Sequence, residues 1–167
     1  MALVVEDGTG LPNAEAYISV TNADAYFLAR GNAAWAALTA EAKEQALRNG
    51  ADYMLGVYGP RWKGARKTAE QALDWPRTGV VANGFEVGEG AVPAAVARAN
   101  AELAARASAG SLLADQGAQV KQETVGPISV TYADGARQAT RYAAVDAMLG
   151  AFLRDGGGGG QASIVRA

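Results

Sequence analysis

The segment from Arg61 to Arg77, RWKGARKTAEQALDWPR, carries two of the chain's three tryptophans and five of its fifteen basic residues. Exposed aromatic rings beside basic side chains are typical of single-stranded nucleic-acid sites, because the rings stack on bases and the cations pair with phosphates. The same residue types also form the hot spots of protein interfaces. If the segment is buried instead, it is a corner of the core that flanks a helix.

Tryptophan in a small helical protein usually anchors the core, and we expect Trp62 and Trp75 to anchor packing. Basic side chains are seldom fully buried, so the cations around them should lie at the surface and face a neighbouring subunit, another protein or DNA. The predicted partner-contact residues of this segment are Arg61, Trp62, Lys63, Arg66, Lys67, Trp75 and Arg77.

The charge of the segment differs from that of the whole chain. Five basic and two acidic residues give it +3, whereas the chain of 167 residues has a formal net charge of −2. Proteins that coat nucleic acid usually carry an excess of Lys and Arg over their whole surface. The sequence therefore argues against a general nucleic-acid coat and leaves one compact basic segment.

Most catalytic chemistry is excluded by composition. The chain has no cysteine and no histidine, which removes disulfides, thiolate nucleophiles, the usual zinc ligands and the commonest acid–base group. It has no Gly-x-Ser-x-Gly motif and no glycine-rich loop between a strand and a helix. We therefore predict that it is not an enzyme and has no cofactor. The acidic residues Glu6, Asp7, Glu15 and Asp24 lack the spacing of a calcium loop, and we expect caps and solvated charges there.

The elements that position the segment begin with an extended N-terminal arm over about twenty residues, broken by a Gly and Pro turn cluster. Thr21 and Asp24 have the spacing of a capping box, which predicts a helix from about Asn22 to Arg30. A second N-cap at Thr39 begins a longer helix whose apolar residues recur at three- and four-residue steps up to Gly59-Pro60.

The C-terminal half should contain two more helices and a hairpin. Glycines punctuate an irregular segment around Phe85 and Val87, and an alanine-rich helix is predicted from about 93 to 113. Alternating residues in 119–125 and 128–132 predict a β-hairpin, and an apolar stripe predicts a last helix that ends at Asp155. The predicted fold is mainly α: a small helical bundle with a β-hairpin between the last two helices, an extended N-terminal arm and a C-terminal tail.

The division predicted from this pattern is one helical domain over 1–155 and a tether with a docking tail over 156–167. Five consecutive glycines, 156–160, are costly to order, and the twelve residues from 156 onward could span about 40 Å when extended. The apolar pair Ile164-Val165, followed by Arg166, favours docking of this tail on a partner. We expect no membrane association, because no apolar run approaches ~20 residues.

The order and spacing of six segments carry a family resemblance. They read EDGTGLPNAEAYISV, ADAYFLARGNAAWAAL, YGPRWKG, ALDWPRTGV, VPAAVARANAELA and VGPISVTYADG. Together they resemble small tailed-phage and prophage proteins labelled "putative DnaT-like single-stranded DNA-binding proteins". Proteins of this type are similar in gene context and helical layout to the head-to-tail connector, or adaptor, proteins of long-tailed phages.

The resemblance implies a structural protein of the virion neck that is made in the host cytoplasm. It would form a ring, typically of twelve copies, between the portal and a tail-side neck protein such as a stopper or tail terminator. The ring would surround the DNA channel and contact DNA without sequence preference, and the C-terminal segment would reach the portal. The alternative is a single-stranded DNA-binding protein that uses the Arg61–Arg77 segment.

Overall fold

The computed structural model describes residues 2–113, 122–125, 128–131 and 140–154. Its helices are α1 (Val20–Leu28), α2 (Ala33–Ala36), α3 (Ala40–Tyr58), α4 (Ala94–Ala107) and α5 (Ala143–Leu149), with 3₁₀ turns at Gly59–Arg61 and Gly150–Phe152. Six short strands form three antiparallel pairs: β1 (Ala65–Arg66) with β2 (Arg77–Thr78), β3 (Val81–Ala82) with β4 (Phe85–Glu86), and β5 (Gln122–Val125) with β6 (Ile128–Thr131). The mainly α class and the hairpin between the last two helices are confirmed.

Helices α3 and α4 form the centre of the bundle because a glycine lets their backbones approach. A Cβ on Gly50 would lie 2.8 Å from Asn100 Nδ2 and 3.1 Å from the backbone nitrogen of Ala104. Asn100 is buried, and both polar atoms of its side chain are hydrogen-bonded: Nδ2 donates to the Leu47 carbonyl (3.0 Å), and Oδ1 accepts from the Tyr17 amide (2.9 Å). One side chain thus ties α4 to α3 and to the segment before α1.

Two apolar clusters lie along this helix pair. The first packs around the C-terminal half of α3 and includes Tyr58, Trp62, Trp75, Leu103, Val145 and Leu149. The second packs around the N-terminal half of α3 and includes Ile18, Phe27, Trp35 and Leu47. The two ends of α3 therefore pack against different groups of elements.

The N-terminal segment has no helix before Val20, as predicted, but it packs against the bundle. Val5 and Ala16 form a parallel bridge, and Tyr17 is buried. Glu6 is also buried, which corrects the expectation of a solvated charge or a helix cap. Its carboxylate accepts the backbone N–H groups of Gly8, Gly10 and Leu11, each at 2.8 Å, and so closes the loop.

The first helix cap differs from the predicted one. Helix α1 begins at Val20, and Ser19 Oγ accepts the Asn22 amide, so Ser19 rather than Thr21 is the N-cap. Asp24 instead accepts from Trp35 Nε1 (2.7 Å) and forms an ion pair with Lys43 (3.0 Å). The predicted cap at Thr39 is confirmed, because its side chain accepts the Ala42 amide.

Two further helix ends and one loop differ from the predictions. Helix α4 ends at Ala107 instead of near 113, and α5 gives way to a 3₁₀ turn at Gly150 well before Asp155. The segment around Phe85 is a hairpin, with Asn83 and Gly84 at positive φ in its turn. Among the described residues, none of the helices has the length and apolarity that crossing a bilayer requires.

Candidate anion-binding surface

The Arg61–Arg77 segment leaves the end of α3 and returns as a short antiparallel pair. Trp62 bridges to Leu153, and the Lys63 amide donates to the Phe152 carbonyl at 2.9 Å. Beyond β1, Thr68 and Gln71 exchange hydrogen bonds between backbone and side chain. Gln71 Nε2 then donates to the carbonyls of Leu73 and Pro76, which fixes the loop from inside.

Both tryptophans of the segment face inward. Trp62 and Trp75 are each 0% exposed, and their rings meet edge to face with centroids 5.7 Å apart. Trp62 Nε1 donates to Asp74 Oδ2 at 3.1 Å. The expectation that they anchor packing is confirmed. Because the chain's own core covers both rings, this structure exposes no surface of either ring for the predicted partner contact.

Arg77 also lies inside the chain rather than on a contact surface. Its guanidinium donates to the carbonyls of Lys63 (2.7 Å), Gly64 (2.9 Å) and Asp74 (3.1 Å). Burial lowers its pKa from the usual value, and attraction to Asp74 partly opposes that change. Arg77 therefore has a structural role that the sequence did not predict, because it joins the two strands of the segment.

Asp74 is the buried counter-charge of this corner. Burial raises the pKa of its carboxyl, and the hydrogen bond from Trp62 and the charges of Arg77 and Arg66 offset only part of the rise. Its backbone amide donates to the Tyr17 hydroxyl at 3.0 Å. The carboxylate is thus committed to holding the corner together.

The remaining cations lie on the outside of the corner. Arg66 and Lys67 are exposed, and Arg61 and Lys63 are half-buried. Lys63 Nζ donates to the Ala151 carbonyl (2.9 Å), and Lys67 Nζ donates to the Gly8 carbonyl (3.0 Å). These bonds hold the side chains but leave their positive charge without a neutralising partner.

A fifth cation, Arg154, joins this group from the C-terminal part of the chain. Its amide donates to the Arg61 carbonyl at 2.7 Å, and its guanidinium lies 3.4 Å from the Gly64 carbonyl. Arg154 was not predicted as part of this group, because nothing in the local sequence indicates that it pairs with a segment about ninety positions earlier. We call the set Arg61, Lys63, Arg66, Lys67 and Arg154 the basic surface.

Among the residues that the structure describes, the basic surface has no close acidic partner. Within the described part of the chain, none of its five side chains forms an ion pair within 4 Å. Longer-range attraction reaches Lys67 from Asp7, and it reaches Arg61 from Asp146. A cluster of like charges is favourable for an anionic partner, because binding it relieves the mutual repulsion.

This arrangement suits phosphates better than bases. Guanidinium and ammonium groups can pair with a sugar–phosphate backbone, but base stacking needs an exposed aromatic face. The tryptophans of the segment cannot supply one while the corner is folded. In the described ranges there is also no cluster of acidic side chains that could hold a metal ion.

The predicted tail contacts Ile164, Val165 and Arg166 lie outside the described residues, so their partner role stays a prediction.

Comparison with known protein families gives a match over the whole chain. The model of a family described as "Putative DnaT-like ssDNA binding protein" matches residues 1–167. No curated protein and no solved structure matches the chain. The family match covers all six segments on which the resemblance was based.

Proposed function

The chain belongs to the DnaT-like family, and from that premise we propose that it is a head-to-tail adaptor of a tailed phage. Identical copies would form a ring between the portal and the neck or tail, with DNA passing through it. The observation that carries the proposal is the burial of Trp62 and Trp75 beneath a compact basic surface. Such a surface can contact a phosphate backbone without binding individual bases.

The charge distribution supports the same proposal. The basic surface lies on a chain with a formal net charge of −2, so an anionic polymer would be attracted at one place and repelled elsewhere. A channel wall needs only this weak, non-specific contact, since DNA must slide past it. The resemblance to connector proteins in helical layout supports a position between the portal and the tail.

The second candidate is single-stranded DNA binding, which the family's description favours. The basic surface could supply its phosphate contacts. A stacking platform for bases would have to come from elsewhere in the chain, because both tryptophans of the segment are covered. The two candidates therefore differ in one property: a dedicated single-strand binder prefers single strands over duplex, whereas phosphate contacts alone do not.

A DNA-binding experiment separates the candidates. Fluorescence anisotropy would compare labelled single-stranded and duplex oligonucleotides of equal length between low and physiological salt. We expect weak binding with little preference. The double variant Arg66→Gln with Lys67→Gln should flatten the salt slope for single strands by about 1.4, because each phosphate contact contributes about 0.7.

The matched control removes two exposed arginines outside the basic surface, Arg30→Gln with Arg98→Gln, and should leave the slope unchanged. A strong preference for single strands that survives at physiological salt would favour the second candidate and count against a passive channel wall.

Portal binding tests the adaptor directly. Purified portal rings of the same phage should retain the full chain in a pull-down, and electron microscopy of neck complexes should show its density between portal and tail. Deletion of residues 156–167 should weaken retention if the tail docks on the portal. Retention of neither form would refute the adaptor proposal, while equal retention of both would refute only the role of the tail.

A further inference from the structure

An apolar groove lies between α1, α2 and the start of α3. Its volume is about 590 Å³, and its lining includes Phe27, Leu28, Trp35, Ala36 and Lys43. Leu28, one of these lining residues, is 82% exposed. A cavity of about 150 Å³ already admits a benzene ring, so this groove can hold an aromatic side chain with its flanking residues.

The same chain presents a largely exposed aromatic side chain. Phe85 is 77% exposed and lies directly after the Asn83-Gly84 turn of the β3–β4 hairpin. A two-residue turn with positive φ at both positions holds the strands in a tight hairpin, so the ring is displayed by an ordered element. The Phe85 ring is therefore a protruding apolar group of the kind that the groove can hold.

The two features lie at opposite ends of α3. Lys43, in the first turn of α3, lines the groove, whereas the hairpin is held beyond the other end, where Lys63 Nζ lies 3.4 Å from the Val81 carbonyl. From Lys43 to Tyr58 the helix rises about 22 Å. The hairpin extends only about 7 Å beyond Val81, so Phe85 does not reach the groove of its own chain.

The charges beside the two features are complementary. Glu86 and Glu89 follow Phe85 in the chain, and neither forms an ion pair in the ranges that the structure describes. Arg30 precedes the groove residue Gly31, and its guanidinium lies over the Tyr26 ring, 3.6 Å from the centroid, without a carboxylate partner in the same ranges. In the groove lining itself Asp24 and Lys43 neutralise each other as an ion pair (3.0 Å), so Arg30 at the border is the charge that attracts the acidic hairpin.

We propose that Phe85 of one copy inserts into the α1–α2 groove of the next copy. The contact joins two different surfaces, so each copy keeps a free hairpin and a free groove, and repetition closes a ring or extends a filament. The contact would join neighbouring subunits of the proposed ring. It rests on the proposed function only for the expectation that copies assemble.

Paired cysteines provide the test, because the natural chain has none. Mixed under mild oxidation, full-length Phe85→Cys and Ala36→Cys should form a disulfide heterodimer, since a disulfide requires Cα atoms within about 7 Å. The matched control pairs Phe85→Cys with Gln45→Cys, an exposed position on α3 outside the groove. We expect the Ala36 pair to dominate, also when residues 156–167 are deleted from both chains.

Self-association measured by sedimentation gives an independent result. Phe85→Ala should weaken it by about 10- to 100-fold, the loss expected for one buried aromatic side chain, and Leu55→Ala should not change it. Equal disulfide yields in the two pairs, loss of the disulfide on tail deletion, wild-type association of Phe85→Ala, or a chain that stays monomeric would each overturn the contact. Portal binding is not measured here, so failure of the adaptor proposal would show separately.

Discussion

Replacement of Trp62 by phenylalanine separates a structural role of the aromatic residues from a DNA-binding role. The indole is fully buried, packs against Tyr58 and Trp75, and donates its N–H to Asp74. If this geometry governs the segment, Trp62→Phe should reduce stability and leave the affinity for DNA unchanged. If the indole instead stacks on bases, the substitution should reduce affinity first.

The expected loss of stability has two contributions. A hydrogen bond to a charged group is worth about 1.5–3 kcal/mol, and its removal leaves the buried Asp74 carboxylate without the indole N–H. The smaller ring also leaves a partial cavity in the first apolar cluster. Together they predict a decrease in the free energy of unfolding of about 2–4 kcal/mol, or roughly 5–15 °C in Tm.

The assay combines urea unfolding, followed by circular dichroism, with DNA anisotropy on the same preparation. Trp35→Phe is the matched control, because Trp35 is also buried and donates to a carboxylate, Asp24, but in the second apolar cluster. Both variants should lose stability, and neither should lose DNA affinity under conditions where it is folded. The double variant Arg66→Gln with Lys67→Gln should keep the wild-type stability and lose DNA affinity.

One result would refute this reasoning. A Trp62→Phe protein with the wild-type unfolding midpoint and several-fold weaker DNA binding would mean that the ring is available to bases. The corner would then have to open in solution, and single-strand binding would become the better proposal.

Three further predictions concern the fold and are measured by urea unfolding. Ser19→Ala should cost about 1 kcal/mol through loss of the α1 cap, whereas Thr21→Ala should cost little; the reverse order would contradict the observed cap. Gly50→Ala should destabilise the protein by about 1 kcal/mol or more because the new Cβ meets α4, whereas Gly56→Ala, with open space around it, should stabilise α3 by up to about 1 kcal/mol. The pKa of the Asp74 carboxyl is raised in the folded state from its usual value of 3.8. The contribution of this group to the free energy of unfolding is therefore fully present below pH 3.8 and is lost as the pH rises through the folded-state pKa. Asp74→Asn should therefore gain stability relative to wild type as the pH rises from about 3.5 to about 7, and a constant difference would refute the shift.

Local patterns predicted much of the helical structure. Thr39 as a cap and Gly59-Pro60 as a stop predicted α3 within a residue or two, because both signals act through neighbouring backbone groups. The β5–β6 hairpin was also found from alternation. The cap of α1 was misplaced because Ser19 and Thr21 are both able to cap, and packing of Ile18 and Tyr17 against the bundle favours the earlier start.

The candidate site was less accessible to prediction. Residue types indicated the Arg61–Arg77 segment, but the segment is irregular and so has no periodicity that would show which side chains face inward. Arg77 illustrates the difficulty: three carbonyl acceptors gathered from separate parts of the segment allow an arginine to be buried.

The sequence by itself determined the helical class, the main helix boundaries and the concentration of positive charge in one segment, because composition and short-range hydrogen bonding decide these properties. Only the tertiary structure decided that Arg77 turns inward with the two tryptophans while Arg154 joins the outer cations. Burial depends on contacts between residues far apart in the chain. The aromatic half of an apparent nucleic-acid motif thus became core, and its basic half, apart from Arg77, remained at the surface.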